Sequence, residues 1–201
     1  NIFPTAELQA QLNSVNANKR WEFGTPGVLY ESGDGVKFNP DDSVNPIYKF
    51  PHQPKEDLTG GVVIYESPYR TTDENGQSHV PKGMYIVCHD PYAQNTSTEG
   101  RSLGAAYVIK RTNNMDMTMN ECIVASYVGR PDMQDEYNRN LFMLADYYNA
   151  KIGFENDRGD VIGYAKRFKK LHKLEEQFEM LDKKELQSRN VKRPYGMHMT
   201  K

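Results

Sequence analysis

The sequence predicts an α/β domain, a mixed sheet flanked by helices, behind an irregular proline-rich lead-in. Three observations predict it. Short apolar runs rich in β-formers recur between residues 61 and 128 with brief polar connections. Two segments of helical periodicity follow, and one further short apolar run, Lys151 to Phe154, lies between them. Brief connections make the early strands antiparallel neighbours, whereas a helical crossover allows a parallel pair.

Residues 1–60 carry Pro4, Pro26, Pro40, Pro46, Pro51 and Pro54, which argue against long regular elements there. Only Thr5 to Val15 has helical spacing, through Leu8, Leu12 and Val15. The stretch reads as a lead-in wrapped on the core or a linker from an upstream domain, and residues 61–201 as the folded domain. Gly61 to Glu66 is a strand, and Thr71 to Ser78 a polar hairpin-like loop. Met84 to Cys88 is the next strand, stopped by His89, Asp90 and Pro91. Leu103 to Ile109 and Cys122 to Val128, joined through a polar turn at Asp116 to Asn120, complete an antiparallel set.

Asp132 then suits the N-cap of a helix on which Met133, Tyr137, Leu141, Leu144 and Tyr148 recur at spacings of four, four, three and four. Asn149 suits a left-handed stop. After the strand at 151–154, Asp160 is the expected cap of a second amphipathic helix bearing Val161, Tyr164, Phe168 and Leu171. Leu174, Phe178 and Leu181 continue its apolar stripe, and Tyr195 to Thr200 starts a last strand. Three antiparallel strands, a helix, a strand, a helix and a strand is the order of a ribonuclease H-like sheet.

A chain of 201 residues and 23.1 kDa can bury a real core. No apolar run approaches the roughly 20 residues a membrane helix needs, so no membrane partner is expected. The two cysteines, Cys88 and Cys122, both sit in apolar runs and are expected to be small core residues. That excludes a disulfide-built secreted scaffold and points to a reducing cytoplasm. The first residue is Asn1 rather than methionine, the expectation being a piece of a longer protein.

Net charge is −2, from 25 basic and 27 acidic side chains, and does not advertise a nucleic-acid binder. The mean hides a split. Residues 158–201 hold 12 basic and 6 acidic groups, leaving 13 and 21 for the rest, so +6 stands against −8. Such asymmetry can mark a polyanion-contacting surface, although solvated helix faces account for it more simply on charge alone.

Asp90 and Glu155 carry the chemical argument. They lie 65 positions apart, and each ends an expected buried strand. If the helix between them is the crossover, the two strands lie parallel and both acids meet at the sheet edge where open α/β sheets place ligands. Two close carboxylates repel or recruit a divalent cation. Hard oxygen donors without a Cys/His cluster favour Mg2+ or Mn2+, and two such ions suit a phosphodiester displacement. A turn signal at Asp90-Pro91 and a solvated strand-end Glu155 is the plainer account of the same residues.

The runs YIVCHDPY (85–92), SLGAAYVIKR (102–111), IVASYVGRP (123–131), YYNA (147–150) and FEN (154–156) together resemble the nuclease domain of tailed-phage terminase large subunits, most closely the forms in phages and prophages of Bacteroides-type bacteria. The resemblance runs from about Gly60 to Leu171. It implies a ribonuclease H-like, Mg2+- or Mn2+-dependent endonuclease, using two ions, that cuts concatemeric double-stranded DNA during packaging in the host cytoplasm. It also implies an upstream ATPase domain, a small terminase subunit and a portal as partners. Asp90 matches the family's first-strand acid and Glu155 the acid ending the fourth strand.

There are two departures. No Gly-x-x-x-x-Gly-Lys-Ser/Thr phosphate loop occurs, so no ATP site is expected in this stretch. The family's third acid lies downstream, on or near a C-terminal helix, and the domain is expected to be truncated before it. Asp157 and Asp160 are candidate additional metal ligands, with a turn position and a helix cap as their plainer accounts; Asn95 and Glu99 could offer oxygens to a second ion or simply belong to a polar loop.

Lys166, Arg167, Lys169, Lys170 and Lys173 follow Glu155 by 11 to 18 positions and are candidate phosphate contacts, with Arg158 closer to the acids. Arg101 and Arg130 are further loop candidates, and His172 is a phosphate contact or a surface group. His89 should face the opposite side of the sheet from Asp90 and pack there. Two other functions stay open: a catalytically incomplete DNA-binding or packaging module, and a different ribonuclease H-like nuclease such as a resolvase or transposase core.

Overall fold

The computed structural model describes residues 24–48, 57–92, 102–116, 120–156, 158–176 and 195–197, with scattered helical positions between 6 and 17. Its centre is a mixed, mostly antiparallel seven-stranded sheet flanked by two helices.

Three strands form the middle: β6 (Tyr85–Asp90), β7 (Gly104–Lys110) and β8 (Cys122–Gly129), successive antiparallel neighbours. Helix α1 (Gln134–Tyr147) then crosses over to β9 (Lys151–Phe154), which pairs parallel with β6. The other side of β8 is taken by β3 (Gly61–Ile64), β1 (Thr25–Ser32) and β2 (Gly35–Pro40), giving the order β2-β1-β3-β8-β7-β6-β9. A separate two-stranded ribbon, β4 (Thr71–Thr72) and β5 (Ser78–His79), closes over a turn in which Asp73 Oδ1 accepts the amides of Asn75 and Gln77.

The hairpin β1–β2 corrects the expectation of an irregular lead-in. Its prolines are tolerated because Pro26 is the second residue of β1 and Pro40 the last residue of an edge strand, where a missing N–H is cheapest. Burial alternates along β6, with Tyr85, Val87 and His89 on the core side. Against that side lies the α1 face of Tyr137, Leu141, Leu144 and Tyr148, the periodicity read from the sequence. Leu141 and Leu144 are fully buried, each contributing about 2 kcal/mol. Helix α2 (Val161–Arg167) packs beside α1 through Tyr164, whose ring stacks on Phe142 at 5.3 Å.

Several helix boundaries differ from expectation. Helix α1 is preceded by Met133 rather than capped by Asp132, and Met133 makes no side-chain cap bond. Asn149 does take the left-handed conformation, with φ 47°. The second helix ends at Arg167; a 3-10 turn, Leu171–Lys173, follows. Leu174, expected on the helical stripe, instead forms a parallel bridge with Ile152 of β9. Met197 does the same with Glu155, which places Tyr195 to Met197 at the sheet edge where a last strand was expected. Phe178 and Leu181 lie outside the described residues. No helix among the described residues is long and apolar enough to cross a membrane.

At the end of the sheet away from Asp90, Lys110 is fully buried. Its Nζ lies 2.8 Å from Glu66 Oε1 and 2.6 Å from Asp116 Oδ2. Burial disfavours the ammonium, but these two carboxylates outweigh it and hold the Lys110 pKa above its usual value.

Candidate metal and nucleic-acid site

Strand alternation builds the site. Ile86, Cys88 and Asp90 project from β6 away from α1; Gly153 and Glu155 do so from β9. The β6–β9 ladder pairs Ile86 with Lys151, Val87 with Ile152, Cys88 with Gly153 and His89 with Phe154. Carried one step past the ladder, this register brings Asp90 and Glu155 to the ends of neighbouring strands, whose backbones run about 4.8 Å apart in any sheet. Both lie on the same face, and no described helix covers it over β6 and β7. Asp90 is exposed and Glu155 half-buried.

The loops that follow the acids meet. Pro91 ends β6, and Tyr92 turns inward beneath it, 1% exposed, with the Arg130 guanidinium 4.9 Å from its ring centre. After Glu155, the Asn156 amide donates to Met197 O at 2.8 Å. Gly159 has φ 86°, and a Cβ there would stand 2.7 Å from Pro91 Cβ, so the two loops touch at a point that only glycine fits. Asn138 Nδ2 of α1 donates to Gly159 O at 3.1 Å, and Gln134 Nε2 donates to Tyr92 O at 3.3 Å. Asn156 and the stretch from Arg158 to Ile162 line an open cleft of about 330 Å³ that begins one residue after Glu155, without either acid in its lining.

His89 packs on the helix side, as expected. It is 5% exposed, lies against the Tyr137 ring at 5.3 Å, and places Nδ1 3.1 Å from Ala105 O. Burial pushes its pKa down to about 4, so the ring is neutral near pH 7. Cys88 departs from expectation. Cys122 is buried, but Cys88 is exposed, because it shares the face of Asp90 two residues on. Partial burial of the thiol raises the Cys88 pKa, which works against a reactive thiolate.

The candidate cations divide. Arg158 is exposed and lines the cleft that follows Glu155. Arg167 is tied by Nη1 to Asp160 at 2.9 Å and by Nη2 to Asp135 at 2.6 Å. Lys170 and Lys173 both hold Asp146, at 2.7 and 2.9 Å. Asp146 is twelve residues along α1 from Gln134, hence about 18 Å from the end that holds the acid loops. Helix α2 thus starts beside the site, as expected, but the basic run falls away from it. Lys166 and Lys169 are exposed and form no ion pair among the described residues; His172 is exposed too. Arg130 Nη1 donates to Ser102 O at 2.7 Å, a bond that braces the loop.

Asp160 has φ 45°, makes no side-chain cap bond, and engages Arg167 instead, so its carboxylate serves α2 rather than the acid pair. Asp157, Asn95, Glu99 and Arg101 lie outside the described residues. Among the described residues, no group of three or more His, Cys, Asp or Glu side chains is arranged to hold a metal ion. The site there is the Asp90–Glu155 pair. Sequence reasoning missed the amides Gln134 and Asn138; their spacing of four on one helix face, just after Pro131, was the available signal.

Comparison of the chain with protein-family models, with curated proteins and with solved structures returns no match. The chemistry of the site rests on its own geometry.

Proposed function

We propose that this chain is a metal-dependent DNA endonuclease domain built on a ribonuclease H-like sheet, of the kind that serves tailed-phage terminases in DNA packaging. The observation that carries it is the parallel register placing Asp90 beside Glu155 on one open face. The order β8-β7-β6-β9, two antiparallel pairings followed by a parallel one across a helical crossover, also supports it. Double-stranded DNA is the substrate in this reading, cut in the cytoplasm of a bacterial host. An upstream ATPase domain, a small terminase subunit and a portal complete the assembly.

The residues fit Mg2+ or Mn2+. Such ions are commonly held by one or two carboxylates together with waters and substrate phosphates, and Asp90 and Glu155 are two adjacent carboxylates on an accessible face. When bound, the ions supply Lewis-acid stabilisation of the attacking and leaving oxygens. Asp90 and Glu155 would hold them, Asp157 would be the further donor, and Arg158 would hold a phosphate of the strand. Lys166 and Lys169 are the other cations free to meet DNA, while Arg167, Lys170 and Lys173 must exchange an ion pair to do so.

Supercoiled plasmid incubated with Mn2+ tests the reading. Cleavage by the parent that is lost in both Asp90→Ala and Glu155→Ala is the expected result; equal cleavage by all three removes the assigned site. One observation favours a second reading, a DNA-binding module without activity: among the described residues no three or more His, Cys, Asp or Glu side chains are grouped to hold a metal ion. Mn2+ binding with no cleavage by the parent, or by a chain extended at its C-terminus, selects it.

A further inference from the structure

We infer that Gln134 and Asn138 of α1 are positioning residues that set the separation of Asp90 and Glu155 by clamping the loop behind each acid to one helix face. The inference rests on the metal-site reading above and names the part of the fold that maintains it.

The acids come from different strands, and the ladder holding those strands together ends one residue before them, at His89 and Phe154. Something past the ladder must keep the carboxylates in register. Among the described residues the two loops share a partner in the first two turns of α1. Gln134 and Asn138, four positions apart, lie on the same side of the helix. Gln134 donates to the carbonyl of Tyr92, two residues after Asp90; Asn138 donates to the carbonyl of Gly159, four residues after Glu155. The loops also meet directly, Gly159 against Pro91, with no room for a Cβ between them. A shift of either loop therefore breaks a hydrogen bond to α1 or collides with the other loop.

Asn138 is an unusual choice for its place. It is 1% exposed, and its Oδ1 has no hydrogen-bond partner among the described residues. A leucine would occupy the position without stranding a buried acceptor, which is destabilising. What leucine lacks is the donor to Gly159 O. The opposite end of α1 supplies an internal comparison, because Asn149 Nδ2 donates to Val80 O at 2.8 Å, far from either acid.

Asn138→Leu and Gln134→Met each remove one arm's donor with a side chain of similar length, Leu also keeping the branching of Asn, and Asn149→Gly removes the distal bond while keeping the left-handed backbone. On the full chain, Mn2+ affinity is measured by titration calorimetry, amide hydrogen exchange at Asp90, Tyr92 and 158–160 by mass spectrometry, and folding by thermal melting. Asn138 is buried, so Gln134→Met, at a half-buried site, keeps the test available should Asn138→Leu fail to fold. Expected are exchange at least tenfold faster in the loop whose arm is cut, Mn2+ affinity at least fivefold weaker, and no change of either in Asn149→Gly. Unaltered loop exchange in Gln134→Met and Asn138→Leu overturns the clamp. Faster exchange with parental Mn2+ affinity, or an equal loss of affinity in Asn149→Gly, overturns the positioning role. A parent that binds no Mn2+ overturns the metal-site reading and the positioning role with it, while exchange still decides the clamp.

Discussion

Asp90 and Glu155 stand one ladder step beyond His89 and Phe154, so the acids share one face of the sheet and the histidine and phenylalanine share the other. Strand alternation makes this an all-or-none relationship: a slip of one residue in β9 would turn Glu155 into the core and bring Phe154 to the open face. Phe154, 1% exposed, anchors the register by its burial.

That pairing sets the first prediction. Asp90→Asn and Glu155→Gln each weaken Mn2+ binding at least tenfold in titration calorimetry. Melting temperature stays level in both, since neither carboxylate is buried. Parental affinity in either variant would remove that side chain from the site.

Lys110 supports the far end of the fold. Lys110→Met leaves Glu66 and Asp116 facing each other with little solvent, and costs about 3 kcal/mol in urea denaturation. Adding Glu66→Gln and Asp116→Asn recovers at least half of that loss, because no unpaired charge then remains. A loss below about 0.5 kcal/mol for Lys110→Met would show that the ion network is not what holds this end together.

His89 makes the fold acid-sensitive. Its folded pKa, about 4, lies below the ordinary 6.5, so the folded protein binds the proton less readily than the unfolded chain. The native state is therefore at full stability above pH 6.5 and loses it as pH falls from there toward 4, by on the order of 3 kcal/mol. The groups packed on it, Tyr137 and the carbonyl of Ala105, bring no countercharge. His89→Phe should flatten the urea-denaturation profile between those pH values; an unchanged slope would count against a buried neutral ring.

Asp146 ties the turn after α2 to α1. Burial raises its pKa, but hydrogen bonds from Lys170 and Lys173 outweigh that and hold it below the ordinary 3.8. Its stabilisation is thus present above the ordinary value and lost as pH falls through the lowered one. Asp146→Asn costs about 1 kcal/mol at pH 7, and the difference from the parent closes in strong acid. The same change should leave Mn2+ affinity untouched, because Asp146 sits at the far end of α1.

Much of the candidate site was legible before any coordinates. Strand ends at Asp90 and Glu155, the crossover helix between them and the inward His89 all follow from period-two and period-3.6 patterns, which are local. The same alternation that turned His89 inward also implied an exposed Cys88, and a general preference of cysteine for cores masked it. Lys110 was similarly implied, two steps beyond the buried Ala106 and Val108, but a buried lysine is admissible only once Glu66 and Asp116 are known to converge on it. The strands at 25–40 were hidden because proline counts against a strand unless its edge position is known.

The basic run after Glu155 marks the boundary. Composition alone established that residues 158–201 carry the positive charge and that Asp90 and Glu155 close apolar strands, because both are properties of consecutive residues. Tertiary structure alone decided that Arg167, Lys170 and Lys173 are engaged by Asp135, Asp160 and Asp146, that Arg158 lines the cleft that follows Glu155, and that two amides on α1 hold the acid loops. The reason is physical: an ion pair or a hydrogen bond depends on two groups meeting within about 3 Å, and no spacing along one chain specifies which distant partner will be there.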